Sequence, residues 1–457
     1  MRRWLAVLAV LALLPAAAAA QQTELRVPYT RFVLPNGLNV ILHEDHTTPT
    51  VSVNMWYDVG SGREKPGRTG FAHLFEHILF EGSENVPEGM FDEWLEAAGG
   101  NNNGSTNSDR TNYWEDVPSN ALELALFLES DRMGHLLGSL SPETVDGQRN
   151  VVKNERRQSY ENRPYGMAFL TLDSAMYTPD HPYSWPTIGS MEDLSAASHE
   201  DVVEFFSTYY TPANASLSIA GDIRTDEARR LVEHWFSDVE GRGKPEPITA
   251  PTPYLAYEKR MVLEDRVQLP RIYMCWLTAP LHTPGDAEMD VVSGVLTDGK
   301  TSRLYRRLVY DMQIAQDVFA FQGSSSLSSQ FCIISTARSG HSLDEIEAVI
   351  QEELDRLKAE PPTEREVQRI VNGYEASFLD RLERIGGFGG KADALNAYYT
   401  RTGNPDYFNE DLSRYTSLGP TDIQSAIQSF LRDDGRVVLS MVPQGKPELA
   451  AGRPSTE

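Results

Sequence analysis

Cysteine is almost absent. Cys275 and Cys332 stand alone in 457 residues, and two thiols cannot make a zinc site by themselves. Both lie in strand-like stretches, RIYMCWL and SQFCIIST, where a disulfide between neighbouring strands and a pair of buried free thiols are equally open. Long apolar runs are missing after residue 20, so no bilayer-spanning helix is expected in the mature chain. Positive charge is also short: 41 Lys and Arg face 66 Asp and Glu, a net charge of −25. Such a surface repels phosphate backbones and argues against nucleic acid as a partner.

What is present begins with MRRWLAVLAVLALLPAAAAA, a basic start, an apolar stretch and a small-residue end before Gln21. That is the layout of a cleavable secretory signal cut after Ala20. The run is short for a membrane anchor, and no cysteine is near enough for a lipid one. The expectation is an exported, soluble protein, periplasmic in a cell with two membranes.

The length exceeds what one core usually serves, and the order of elements is written twice. VLPNGLNVILHED reads as a hairpin through an Asn-Gly turn. A long strand (TVSVNMWYDVG), two helices, a polar strand pair (NNNGSTNSDRTNYWEDVP) and a closing helix follow. About 219 residues later the order recurs from RIYMCWLTAP to SLDEIEAVIQEELDRLKAE. The ends match as well: HEDVVEFFSTYYTPANASLSIAGD and PTDIQSAIQSFLRDDGRVVLSMVPQ each give helix, loop and strand. The fold class is α+β, two homologous domains, each a largely antiparallel sheet backed by helices. The division is a signal at 1–20, a first domain at 21–240, a proline-rich linker at 241–260, a second domain at 261–445 and a disordered tail at 446–457.

Only 10 histidines occur, and two of them sit in AHLFEHILFEGS. On a helix, His73 and His77 fall on one face a turn apart and can share one ion. Glu76 stands beside them, too close in sequence for a third ligand but placed to touch a water there. This is the H-x-x-E-H order, the mirror of H-E-x-x-H. The matching place in the second copy, Val291 to Leu296, holds neither histidine nor glutamate, so the fold itself does not demand them. A zinc peptidase needs a third ligand and one open position. Glu155, in DGQRNVVKNERRQSYENRPYG, follows Val151 and Val152 by one turn and can point inward. The same carboxylate could equally serve as a partner for a neighbouring basic side chain. GGFGG, Gly386 to Gly390, lacks the lysine of a phosphate loop and reads as a hinge or a substrate-side loop.

The LPNGL hairpin, GFAHLFEHILFEGS, GGNNNGSTNSDRTNYW, QRNVVKNERRQ and the doubled domain together resemble the pitrilysin/insulinase-type metallopeptidases. The resemblance is strongest to the short-chain branch that includes the mitochondrial processing peptidase. It covers the chain after the signal, and it implies a zinc endopeptidase. It makes Glu155, which lies 78 residues past His77, the third zinc ligand beside His73 and His77. It makes Glu76 the general base that deprotonates the attacking water. It places Asn103 and Gly104 on a strand that receives an extended peptide, although a turn asparagine explains Asn103 as simply. Where the family often has a glutamate seven positions before the ligand, this chain has Gln148, which implies altered support of that ligand. An arginine–tyrosine pair that grips substrate in the second domain is replaced by Val309 and Gln316. The resemblance therefore implies a same-fold partner subunit that carries the pair, with a homodimer or a self-sufficient monomer that holds peptides by other contacts as the alternative.

Overall fold

The computed structural model describes residues 25–452, so the signal segment lies outside it. Two sheets form the frame. The first contains β1 (Thr30–Val33), β2 (Asn39–Glu44), β3 (Thr50–Tyr57), β4 (Asn101–Thr106), β5 (Thr111–Pro118) and β6 (Ala215–Gly221), in the order β1-β2-β6-β3-β5-β4. The second contains β7 (Lys259–Asp265), β8 (Arg271–Thr278), β9 (Ala315–Gly323), β10 (Ser329–Ala337) and β11 (Arg436–Pro443), in the order β7-β11-β8-β10-β9. The second order repeats the first without β1. In each sheet one pair is parallel, β2 with β6 and β7 with β11, and the other neighbours are antiparallel.

Helices α1 (Phe71–Glu81), α2 (Met90–Ala97), α3 (Leu122–Ser139), α4 (Pro142–Arg156) and α5 (Ala168–Met176) belong to the first half. One face of the first sheet carries Val40, Leu42, Val51, Val53, Met55, Leu217 and Ile219, which form a core with Leu74, Phe75 and Ile78 of α1 and Leu126 of α3. Burial of this continuous apolar surface is the main driving force for the layer.

The opposite face is polar yet buried, because the helix Lys391–Thr402 of the second half lies on it. Asn396 accepts from Ser216 Oγ at 2.7 Å and donates to the Asn54 backbone at 2.8 Å. Asp393 accepts from Trp56 Nε1 at 2.7 Å and from Asn112 at 2.9 Å. In return, Ala168, Leu172, Ala175 and Met176 of α5 pack on Tyr273, Ile334, Val437 and Leu439 of the second sheet. Each half thus lends the other a covering helix. The division at 241–260 separates the sheets along the chain, but it does not separate the layers.

The linker carries no regular structure until β7 opens at Lys259. Of the tail expected to be disordered at 446–457, residues 453–457 lie outside the described residues, and within the described part Ala450 and Ala451 are buried, with Ala451 donating to Ser440 Oγ of β11 at 3.1 Å.

Cys275 and Cys332 face each other directly across β8 and β10 and form a disulfide. The bond closes a loop of 57 residues in sequence separation. Replacing both by alanine is expected to lower stability by about 2–4 kcal/mol, read as a lower urea midpoint against the oxidised wild type. An unchanged midpoint would mean that the cross-link adds nothing.

Candidate metal centre

Gly70 at the start of α1 has φ +92°, and Gly82 at its end has φ +139°, so glycines bound the helix where other residues are strained. Between them Phe71, Ala72, Leu74, Phe75, Ile78 and Leu79 are buried, which turns the opposite stripe, His73, Glu76 and His77, toward the cleft. α4 begins at Pro142 with Ser141 as its cap, whose hydroxyl accepts from Thr144 N at 3.1 Å. Val152 is fully buried and fixes the rotation of α4. Val151 is 44% exposed, so of the two valines only Val152 directs Glu155 inward.

The two helices bring three donors to one point. His73 Nε2 is 3.6 Å and His77 Nε2 3.4 Å from Glu155 Oε2. The imidazole rings are 4.8 Å apart and nearly perpendicular. The ligand atoms of this trio all lie within 4.8 Å of one another, the one such group among the described residues. Ligands about 2.0–2.2 Å from a tetrahedral zinc stand roughly 3.4 Å apart, so the spacing fits an ion better than direct hydrogen bonds. Burial pushes the His73 imidazole down to about 4, against the pull of Glu155, which keeps it in the neutral form that ligates. Glu155 is held below its ordinary range, chiefly by the His77 imidazole beside it. Its side chain is 39% exposed, so the site opens to solvent on that side.

Burial raises the Glu76 carboxyl, opposed by a hydrogen bond from Thr106 and by the charges of His77 and Arg110. Thr106 and Arg110 escaped the sequence reading. Thr106 ends β4, and Arg110 leans on Trp56, 5.3 Å from the ring centre, while donating to Ser105 O at 2.8 Å. Only the pairing of β4 with β5 brings them to α1.

β4 is the outermost strand of its sheet, hydrogen-bonded to β5 alone. Asn103 is exposed on it, and its Oδ1 accepts from Gly104 N at 2.8 Å. Gly104 is buried, where a β-carbon would press on Tyr113 and Phe80 at 3.1–3.2 Å. Gln148 lies two turns before Glu155 on α4 and donates to Glu81 of α1, bracing one helix against the other. Gly386–Gly390 rests on β5: Phe388 meets Trp114 edge-on at 5.7 Å, and a β-carbon at Gly386 would overlap the Asp116 carboxylate. Trp114 pairs in register with Asn103, so the loop sits next to the free edge. Val309 is partly buried in the helical turn Tyr305–Asp311, and Gln316 is exposed within β9, the outer strand of the second sheet.

Residues 39–186 match the family model described as "Insulinase (Peptidase family M16)", and residues 196–374 match "Peptidase M16 inactive domain". The chain is 26% identical over 417 residues to the zinc protease PqqE of Helicobacter pylori, covering 90% of this chain and 92% of that protein. It is 24% identical over 383 residues to a probable mitochondrial-processing peptidase subunit beta of Arabidopsis thaliana, covering 80% and 70%. A protease crystal structure from Helicobacter pylori superimposes with a TM-score of 0.84 at 25% identity, over 91% of this chain and 99% of that one.

Proposed function

The chain belongs to the insulinase-type M16 peptidase family, and from that premise we propose that it is an exported zinc endopeptidase hydrolysing peptides or unfolded segments. The observation that carries the reading is the convergence of His73, His77 and Glu155, with donors 3.4–3.6 Å apart and a solvent-facing side. Zinc held there would polarise the scissile carbonyl and make water acidic enough to attack near neutral pH.

The chain's own residues supply the rest. Glu76, carried on the same turn as His77, accepts the proton of the attacking water and returns it to the leaving amine. Thr106 restrains the Glu76 carboxylate through its hydroxyl. An extended substrate adds to the free edge of β4 by backbone hydrogen bonds, taking over the Gly104 N–H that Asn103 now occupies. Selection of extended chain by an edge strand favours unfolded segments over folded domains.

The export reading stands on the first twenty residues. Among the described residues no helix is long and apolar enough to cross a membrane. The replacement of the gripping pair by Val309 and Gln316 supports a chamber shared with a same-fold partner subunit that carries it; a homodimer or a self-sufficient monomer is the alternative. The test is peptide cleavage by the purified chain before chelation, after it and after zinc is restored, alone and with the partner. Cleavage lost and regained with the metal supports the proposal. Zinc bound at one per chain without cleavage in either setting would favour a non-catalytic assembly subunit instead.

A further inference from the structure

The first turn of α1 lacks a cap of its own. Gly70 has no side chain, and no acidic residue stands in the turn. The first amides of a helix have no partner within it and need acceptors from elsewhere. Here they come from Glu64, six residues upstream, which is only 7% exposed. Its Oε2 accepts from Gly70 N at 2.9 Å, and its Oε1 accepts from Ala72 N at 2.8 Å. Ala72 is the residue before His73.

A second observation concerns His73 itself. A histidine that holds a metal usually donates its other ring nitrogen to an acceptor that fixes the ring. His73 Nδ1 is buried and has no hydrogen-bond partner among the described residues. The direction of Nε2 therefore depends on where the backbone of the first turn is held.

The same turn is locked to α4. Thr69 N and its hydroxyl donate to Asp193 at 3.0 and 2.5 Å, and Ser190 N donates to Thr69 Oγ1 at 3.0 Å. Gly189 packs so closely that a β-carbon at Gly70 would stand 2.9 Å from its Cα. Arg156, next to Glu155, donates to Gly189 O. One loop thus braces the turn that bears His73 and the turn that bears Glu155.

We infer that Glu64 is a positioning residue for the metal centre: its two backbone hydrogen bonds set the place of His73 in the way a partner on the imidazole does in other sites. The inference rests on the zinc reading above. It is tested on the full-length mature chain with Glu64→Gln, which keeps volume and one acceptor but turns an amide donor toward a backbone N–H. Zinc affinity is measured by competition with a chromophoric chelator, alongside circular dichroism, thermal midpoint, kcat and KM. Glu64→Gln is expected to weaken zinc binding about 10–100-fold, with unchanged secondary structure and a fall in kcat rather than a rise in KM. Asp286→Asn, which removes a still more deeply buried carboxylate from the second half, is the control: it lowers the midpoint and leaves zinc affinity at the wild-type value.

Wild-type zinc affinity in Glu64→Gln overturns the inference, as does equal weakening in Asp286→Asn. If Glu64→Gln does not fold, Glu64→Asp takes its place; failure of both to fold makes Glu64 part of the folding core and also overturns the positioning role. Absence of zinc from the wild type is a separate result, which removes the zinc reading itself.

Discussion

Glu76→Gln is expected to bind as much zinc as the wild type, one per chain on the proposed reading, and to hydrolyse peptides about a thousand-fold more slowly. The expectation follows from the division of labour on α1. Buried neighbours on both sides hold its polar stripe in place, so exchanging an oxygen for an amide nitrogen at position 76 leaves His73, His77 and Glu155 where they are. The hydrogen bond from Thr106 also survives, since a glutamine oxygen can accept it. Only the capacity to take a proton is lost. Metal content measured beside kcat separates the two consequences. A variant that keeps wild-type kcat removes Glu76 from the chemistry, and a variant that loses zinc makes it a support for the ligands.

The second large effect belongs to Glu155. Its replacement by alanine leaves two imidazoles and no anionic ligand, so zinc is expected to be lost on dialysis and cleavage to fall to background. The helix is expected to stay folded, because α4 is held by the Ser141 cap and by buried Val152, both of which the substitution leaves in place. Thermal unfolding supplies a readout independent of activity. In the wild type, zinc at a thousand times its dissociation constant is expected to stabilise the folded chain by about 4 kcal/mol, seen as a rise in Tm on adding metal. Glu155→Ala shows no such rise. A zinc-dependent shift of wild-type size in the variant would mean that the third ligand lies elsewhere.

Different kinds of information made different parts of the site legible. The H-x-x-E-H stripe was readable because a helix repeats every 3.6 residues, so neighbours at four positions are neighbours in space. Glu155 was readable only through the family resemblance: spacing alone left it as open to a surface ion pair as to a metal, and half of the local argument, Val151, points to solvent. Thr106 and Arg110 could not be seen at all, because they reach Glu76 through strand pairing. Glu64 carried no signal beyond being an acid ahead of a helix that starts on glycine.

By itself the sequence determined the doubled order of elements, the helix that carries two imidazoles and a carboxylate, and the absence of that trio from the second copy. These depend on local periodicity, which each segment expresses wherever it lies. Tertiary structure alone decided that the halves exchange covering helices, that Cys275 and Cys332 are bonded, that Ala450 and Ala451 are buried, and that Glu64 holds the turn before His73. Such contacts join residues far apart in the chain, and only burial of the whole apolar surface selects one set of them over its rivals.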